Sequence, residues 1–143
     1  MKIRTSRFGE IEISEERIFE FVLPIIGFNE LKRFVILDLN QDSFFKWLQA
    51  VDDPELAFPI VSVFSMNVDY AIDLQDDVVE TLKIDNVENV LVMNIASIPQ
   101  DNPQGATLNL LAPLIFNIGN QLAGQVILTG SGYDISFPLF KKG

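Results

Sequence analysis

Carboxylates are the reactive groups this sequence holds in quantity: 20 Asp and Glu against 10 Lys and Arg, with no His, no Cys and a formal net charge of −10. Two carboxylates flanking a bond can hydrolyse a glycoside, one serving as acid and the other as base or nucleophile. The densest set, Asp52, Asp53 and Glu55, surrounds Pro54. It suits that chemistry poorly, because neighbouring acids on a solvated turn stay ionised and diverge, whereas a general acid needs a pKa raised by burial. A second set runs from Asp69 to Glu80. Hard cations take oxygen ligands of this kind, but the spaced ligands and the glycine of a calcium loop are missing. Helix capping and solubility account for these acids. The expectation is no catalytic residue, no metal and no cofactor.

The missing residue types exclude further classes. Without imidazole there is no Ser-His-Asp triad and no His-based metal site. Without thiols there is no disulfide framework, thiolate zinc site or cysteine nucleophile. No GxxxxGK[ST] or GxGxxG phosphate loop occurs, and Gly130-Ser131-Gly132 is turn chemistry. A pI near 4.2 argues against direct contact with nucleic acid or an anionic membrane and favours a basic protein partner. No run of about 18 apolar residues implies a membrane span. The basic start, Met1-Lys2-Ile3-Arg4-Thr5-Ser6-Arg7, has no apolar stretch behind it, so no secretory signal is expected. A cytoplasmic location follows as an expectation.

The elements that position the acids can be read from periodicity. The 52–55 tip lies between Phe44-Phe45-Lys46-Trp47-Leu48 and the apolar residues 56–64, which predicts two strands joined by a tight turn. Asp52 or Asp53 can bond backbone donors two residues on, and Pro54 suits the second position of a type I turn. Residues 10–14 alternate, Glu15-Glu16 turns, and residues 18–22 return, predicting an N-terminal hairpin. Pro24 and Gly27 mark a turn or bulge. Phe34-Val35-Ile36-Leu37 predicts a strand buried on both faces, followed by a polar turn at residues 40–43. Pro59 demotes its strand to an edge or marks a bulge. Tyr70, Ile72 and Leu74 share one face, opposite Asp69 and Asp73. Residues 76–83 predict the one helix, with Asp76 as cap, Lys83 near its end, and Val78, Val79 and Leu82 as the docking stripe.

Residues 90–98, the longest apolar run, predict the central strand. Residues 99–105 are loop, residues 106–116 are apolar with a break at Pro113, residues 117–124 form a turn, and residues 125–128 and 133–137 are strands around the turn at 129–132. The fold predicted is mainly β: a single-domain antiparallel barrel or sandwich over residues 1–143 with one short helix near 76–83. Phe28, Phe44, Trp47, Phe58 and Phe64 are expected in the core, although adjacent Phe44 and Phe45 must face opposite sides. The ending Phe137-Pro138-Leu139-Phe140, ahead of Lys141-Lys142, either docks on the body or binds a partner.

Several blocks resemble a known family. Gly27-Phe28 with Arg33-Phe34, Trp47-Leu48-Gln49-Ala50-Val51-Asp52-Asp53-Pro54-Glu55-Leu56-Ala57-Phe58, Asn109-Leu110-Leu111-Ala112-Pro113-Leu114-Ile115-Phe116-Asn117, Gln125-Val126-Ile127-Leu128 and the Tyr133 to Pro138-Leu139 ending resemble, in order, the bacterial flagellar assembly factor FliW family. The resemblance implies a non-enzymatic cytoplasmic regulator with chaperone character. Such a protein binds flagellin, and binds the translational repressor CsrA away from its RNA surface, the two competing. On that basis the protein-binding residues expected are Asp52, Asp53, Glu55, Phe58, Phe137 and Phe140, the acids steering a basic partner and the apolar groups holding it. The competing reading is a small-ligand- or carbohydrate-binding β barrel with a pocket at its mouth.

Overall fold

The structure is a computed structural model that describes residues 1–38, 45–65 and 69–140. Its strands are β1 (Lys2–Thr5), β2 (Gly9–Glu12), β3 (Ile18–Leu23), β4 (Arg33–Leu37), β5 (Lys46–Ala50), β6 (Ala57–Val61), β7 (Val90–Ser97), β8 (Thr107–Leu108), β9 (Leu114–Asn117), β10 (Leu122–Gln125) and β11 (Phe137–Pro138), with one helix, α1 (Asp76–Thr81). Seven strands close on themselves in the order β7-β6-β5-β4-β3-β10-β9, with β9 returning to β7. Every pairing around the ring is antiparallel except β3 with β10. The expected mainly β barrel with one short helix is what forms.

The interior follows from period-2 alternation. Phe19 and Phe21 of β3, Phe34 of β4, Leu48 and Ala50 of β5, Ile60, Met93, Leu114, Phe116 and Ala123 make one buried cluster. Phe116 meets Phe19 and Phe21 edge-on at 4.8 and 5.7 Å between centroids, and Phe21 meets Phe34 at 5.0 Å. Edge-to-face pairs of this kind add to the area term, and a barrel this narrow is filled by its own side chains. The second face of β4 is buried too. Val35 and Leu37 lie under Ile3 and Ile13 of the N-terminal segment, beside half-buried Trp47. A third cluster, including Val61, Tyr70, Leu108, Leu110 and Leu139, packs outside the barrel beneath β8 and β11.

Several elements differ from expectation. Residues 10–14 do not pair with 18–22; β2 folds back on β1 with Ile3 opposite Ile11, and β3 enters the barrel. The turn responsible is closed by Thr5, whose Oγ1 accepts from Phe8 N–H and donates to the Gly9 carbonyl, each at 2.8 Å. Gly9 at φ 72° supplies the left-handed residue. Residues 69–75 alternate in burial but join no ladder. Gln75 holds the N-cap position of helix α1 without a side-chain capping bond, Asp76 is the first helical residue, and Lys83 lies beyond the helix at φ 52°. Leu82 is buried and Val78 and Val79 are half-buried, as the stripe requires. The strand expected at 125–128 is displaced to β10, so Leu122 to Gly124 are strand and not turn. Of 133–137, only Phe137 enters a ladder, with Pro138. β6 is not an edge strand, yet its pairing with β7 starts at Ile60. Pro59, which lacks an N–H, therefore sits where β6 is open on one side.

The C-terminal segment docks on the body. Phe137 pairs opposite Leu108, and Leu139 N–H donates to the Ala106 carbonyl at 2.9 Å. Phe64, expected in the core, is 53% exposed. The expectations for residues 40–43, Phe44 and Lys141-Lys142 lie outside the described residues.

Candidate functional site

The acidic tip between β5 and β6 is a built structure. Ala50 N–H donates to the Leu56 carbonyl at 3.0 Å and Leu56 N–H to the Asp53 carbonyl at 3.2 Å, placing Pro54 second in the turn, where its φ is pre-set. The Asp53 carboxylate accepts Glu55 N–H at 3.0 Å. Ser6 N–H donates to the Pro54 carbonyl at 2.8 Å, so the N-terminal hairpin braces the tip. Beneath it lies Gln49, fully buried, whose Nε2 stands 3.0 to 3.5 Å from the carbonyl oxygens of Ala50, Asp53, Pro54 and Leu56. Its Oε1 has no protein partner among the described residues.

The three acids are not equivalent. Asp52 is held in a fork by Arg33, Nε to Oδ2 at 3.0 Å and Nη2 to Oδ1 at 2.5 Å. The hydrogen bond from Arg33 holds the Asp52 carboxyl below its usual range, against a smaller opposing effect of burial. The same bond raises Arg33, with Glu15 adding to it. A depressed carboxyl adds stability above its unfolded pKa and loses it as pH falls through the folded one. With both side chains about half exposed, at 46% and 50%, that contribution is small. Asp53 is half-buried, spent on the turn, and Glu55 is exposed. Beside the pair opens a basin of about 760 Å³ into which Glu15, Glu20, Glu30 and Lys32 also face. Both charge signs meet there.

The other expected binding residues lie in different settings. Phe58 is half-buried at the barrel, its ring 5.3 Å from Phe28 and 6.3 Å from Phe34. Phe137 and Phe140 are half-buried against the third cluster. The structure thus brings Asp52, Asp53 and Glu55 together and leaves the three phenylalanines in two separate packing environments. Two residues that matter at the tip were given no role by sequence reasoning, Arg33 and Gln49. Arg33 carried one weak signal, a cation next to Lys32 at the head of an apolar strand. Gln49 carried none, since a buried amide looks the same as a solvated one in a string of letters. Among the described residues no three Asp or Glu gather as a metal set, and no helix is long and apolar enough to cross a membrane. The tip offers surface charge and hydrogen-bonding groups held in one geometry.

Comparison with known proteins gives one answer. The sequence model of the family described as FliW protein matches residues 2–139. The flagellar assembly factor FliW of Clostridium novyi (strain NT) is 41% identical over 143 residues, covering 100% of this chain and 99% of that protein. The flagellar assembly factor FliW of Bacillus subtilis (strain 168) is 42% identical over 139 residues, 97% of this chain and 96% of the relative. A crystal structure of the flagellar assembly factor FliW superposes with a TM-score of 0.91 at 37% identity, over 99% of both chains.

Proposed function

This chain belongs to the FliW family of flagellar assembly factors, and we propose that within flagellar assembly it is a cytoplasmic, non-enzymatic regulator that binds flagellin and, in competition, CsrA. Residues 1–143 act in this as one domain. Holding CsrA away from its RNA surface would relieve repression of flagellin synthesis, and free flagellin would restore it. The observation that supports the reading is the tip: an acidic turn fixed by Gln49, Arg33 and Ser6 on a barrel filled by its own side chains. A filled barrel disfavours the small-ligand reading, which needs an apolar-lined interior cavity. The proposed contact residues are Asp52, Asp53 and Glu55, steering a basic partner, with Phe58, Phe137 and Phe140 as apolar contacts.

Titration with purified flagellin and with CsrA tests this directly. Each should form a complex, and each should displace the other. Asp52→Asn with Asp53→Asn keeps the acceptor oxygen of the Asx turn while removing two charges. Association should slow by roughly threefold to tenfold at low salt and by less at high salt. Failure to bind either protein overturns the function; unchanged rates at every ionic strength overturn only the tip assignment.

A further inference from the structure

A second surface, remote in sequence from the tip, has the makings of a peptide slot. One wall is the segment 71–77. Its exposed positions Ala71, Asp73 and Gln75 alternate with buried or half-buried Tyr70, Ile72 and Leu74, the period of an extended chain. Tyr133 ties its start, the hydroxyl accepting Ala71 N–H at 2.9 Å and lying 3.1 Å from the Ala71 carbonyl. Beyond that point the backbone is unspent: the N–H and C=O groups of Ile72, Asp73 and Leu74 have no protein partner among the described residues. The opposite wall is the segment 126–131. Val126 and Leu128 donate their N–H groups to Pro113 and Leu111 at 3.0 and 2.8 Å. The Ile127 N–H, directed the other way in an extended chain, has no protein partner among the described residues, and its side chain is 53% exposed. Between the walls lies a groove of about 370 Å³.

Among the described residues the charge on this groove has one sign: Asp73 and Asp77 line it, and no described lysine or arginine does. The surrounding residues 69–88 hold seven acids against Lys83 alone, all seven exposed. The open edge is the 72–74 wall, since the Ile127 and Leu128 carbonyls accept Thr129 and Ser131 N–H at 3.0 and 3.1 Å; an unpaired extended edge is a template for strand addition. An acidic wall facing an exposed isoleucine asks for cations on one side of the added strand and apolar side chains on the other.

We propose that the groove between residues 71–77 and 126–131 binds, by strand addition, an extended segment of a partner protein in which lysine or arginine alternates with apolar residues. The site does not rest on the acidic tip.

The test uses the full chain labelled with 15N and two peptides of about six residues, a strand's length. One alternates lysine with valine, the other glutamate with valine. The lysine peptide should shift the amide resonances of Asp73 and Ile127 saturably and slow hydrogen exchange at Ile127. Asp73→Asn with Asp77→Asn, both at exposed positions, should weaken it about threefold to tenfold, while Asp52→Asn with Asp53→Asn should leave it unchanged. An equal response to the glutamate peptide, shifts confined to other surfaces, no response, or groove shifts without slowed exchange at Ile127 each overturn the proposal. So do groove shifts that grow with protein concentration alone, which would make the surface a contact between copies.

Discussion

Gln49 sits at the point where burial and hydrogen bonding conflict. Its amide nitrogen has two hydrogens and four backbone carbonyl oxygens within reach, while its own oxygen is buried without a protein partner. Removing a donor from buried carbonyls costs about 1–3 kcal/mol, whereas removing an unsatisfied acceptor recovers part of that. The two effects act together in Gln49→Met, which keeps the length and deletes both. Urea unfolding should therefore show a loss of roughly 1–2 kcal/mol, nearer the low end of the range, with faster amide exchange at Glu55 and Leu56. Gln49→Glu brings a carboxylate against the same carbonyls and should cost more than Gln49→Met. Equal losses for the two would mean that packing, and not the donor pair, is what Gln49 supplies. The side chain's role was illegible in the sequence because nothing local distinguishes an amide beneath a turn from one in water.

At the level of elements, the strands that could be read are those with a clear alternating or wholly apolar face, such as β4 and β7, and the β5–β6 pair with its Asp-Pro turn. The misread ones differ in cause: β2 pairs locally with β1 across a turn closed by Thr5, whereas β10 has a partner far along the chain in β3. Gly124 looks like turn chemistry beside Gly119 and the asparagines, yet it is mid-strand. Its missing side chain is needed because β10 runs against β3, and a Cβ built there would stand 2.6 Å from the Leu23 Cβ. This is the one parallel contact in the ring, and no local pattern announces it. Residues 69–75 show the converse, a strand period without a ladder. Gly124→Ala should destabilise the chain by about 1–3 kcal/mol through overpacking. Leu23→Gly placed with it, which removes the opposing Cβ itself, should recover part of that loss, whereas Leu23→Gly alone should destabilise. Additive losses in the double variant, measured by urea unfolding, would show that closure does not depend on this approach.

Over the whole molecule, three hydrophobic clusters are arranged as a filled barrel with a layer on each of two flanks, and the sole tryptophan stands in one of those layers. Trp47 is half-buried beneath the β1–β2 hairpin, with Phe8 edge-on at 5.9 Å and the Arg7 guanidinium 4.2 Å above its ring. Its emission thus reports the hairpin layer, while far-UV circular dichroism reports mostly the barrel strands. Hairpin and barrel are joined by Ile3 and Ile13 over Val35 and Leu37 and by the Ser6 to Pro54 hydrogen bond. Truncating a buried isoleucine costs about 2–5 kcal/mol, a large fraction of the 5–15 kcal/mol that holds an ordinary domain together. Ile3, however, touches the flank and not the interior, so its loss should fall first on the layer it anchors. In Ile3→Ala the tryptophan transition should therefore move to lower urea than the circular dichroism transition, while in the unaltered chain the two coincide. Coincident transitions in Ile3→Ala would mean that hairpin and barrel unfold as one unit. The bracing of the tip by Ser6 would then be inseparable from the stability of the barrel itself.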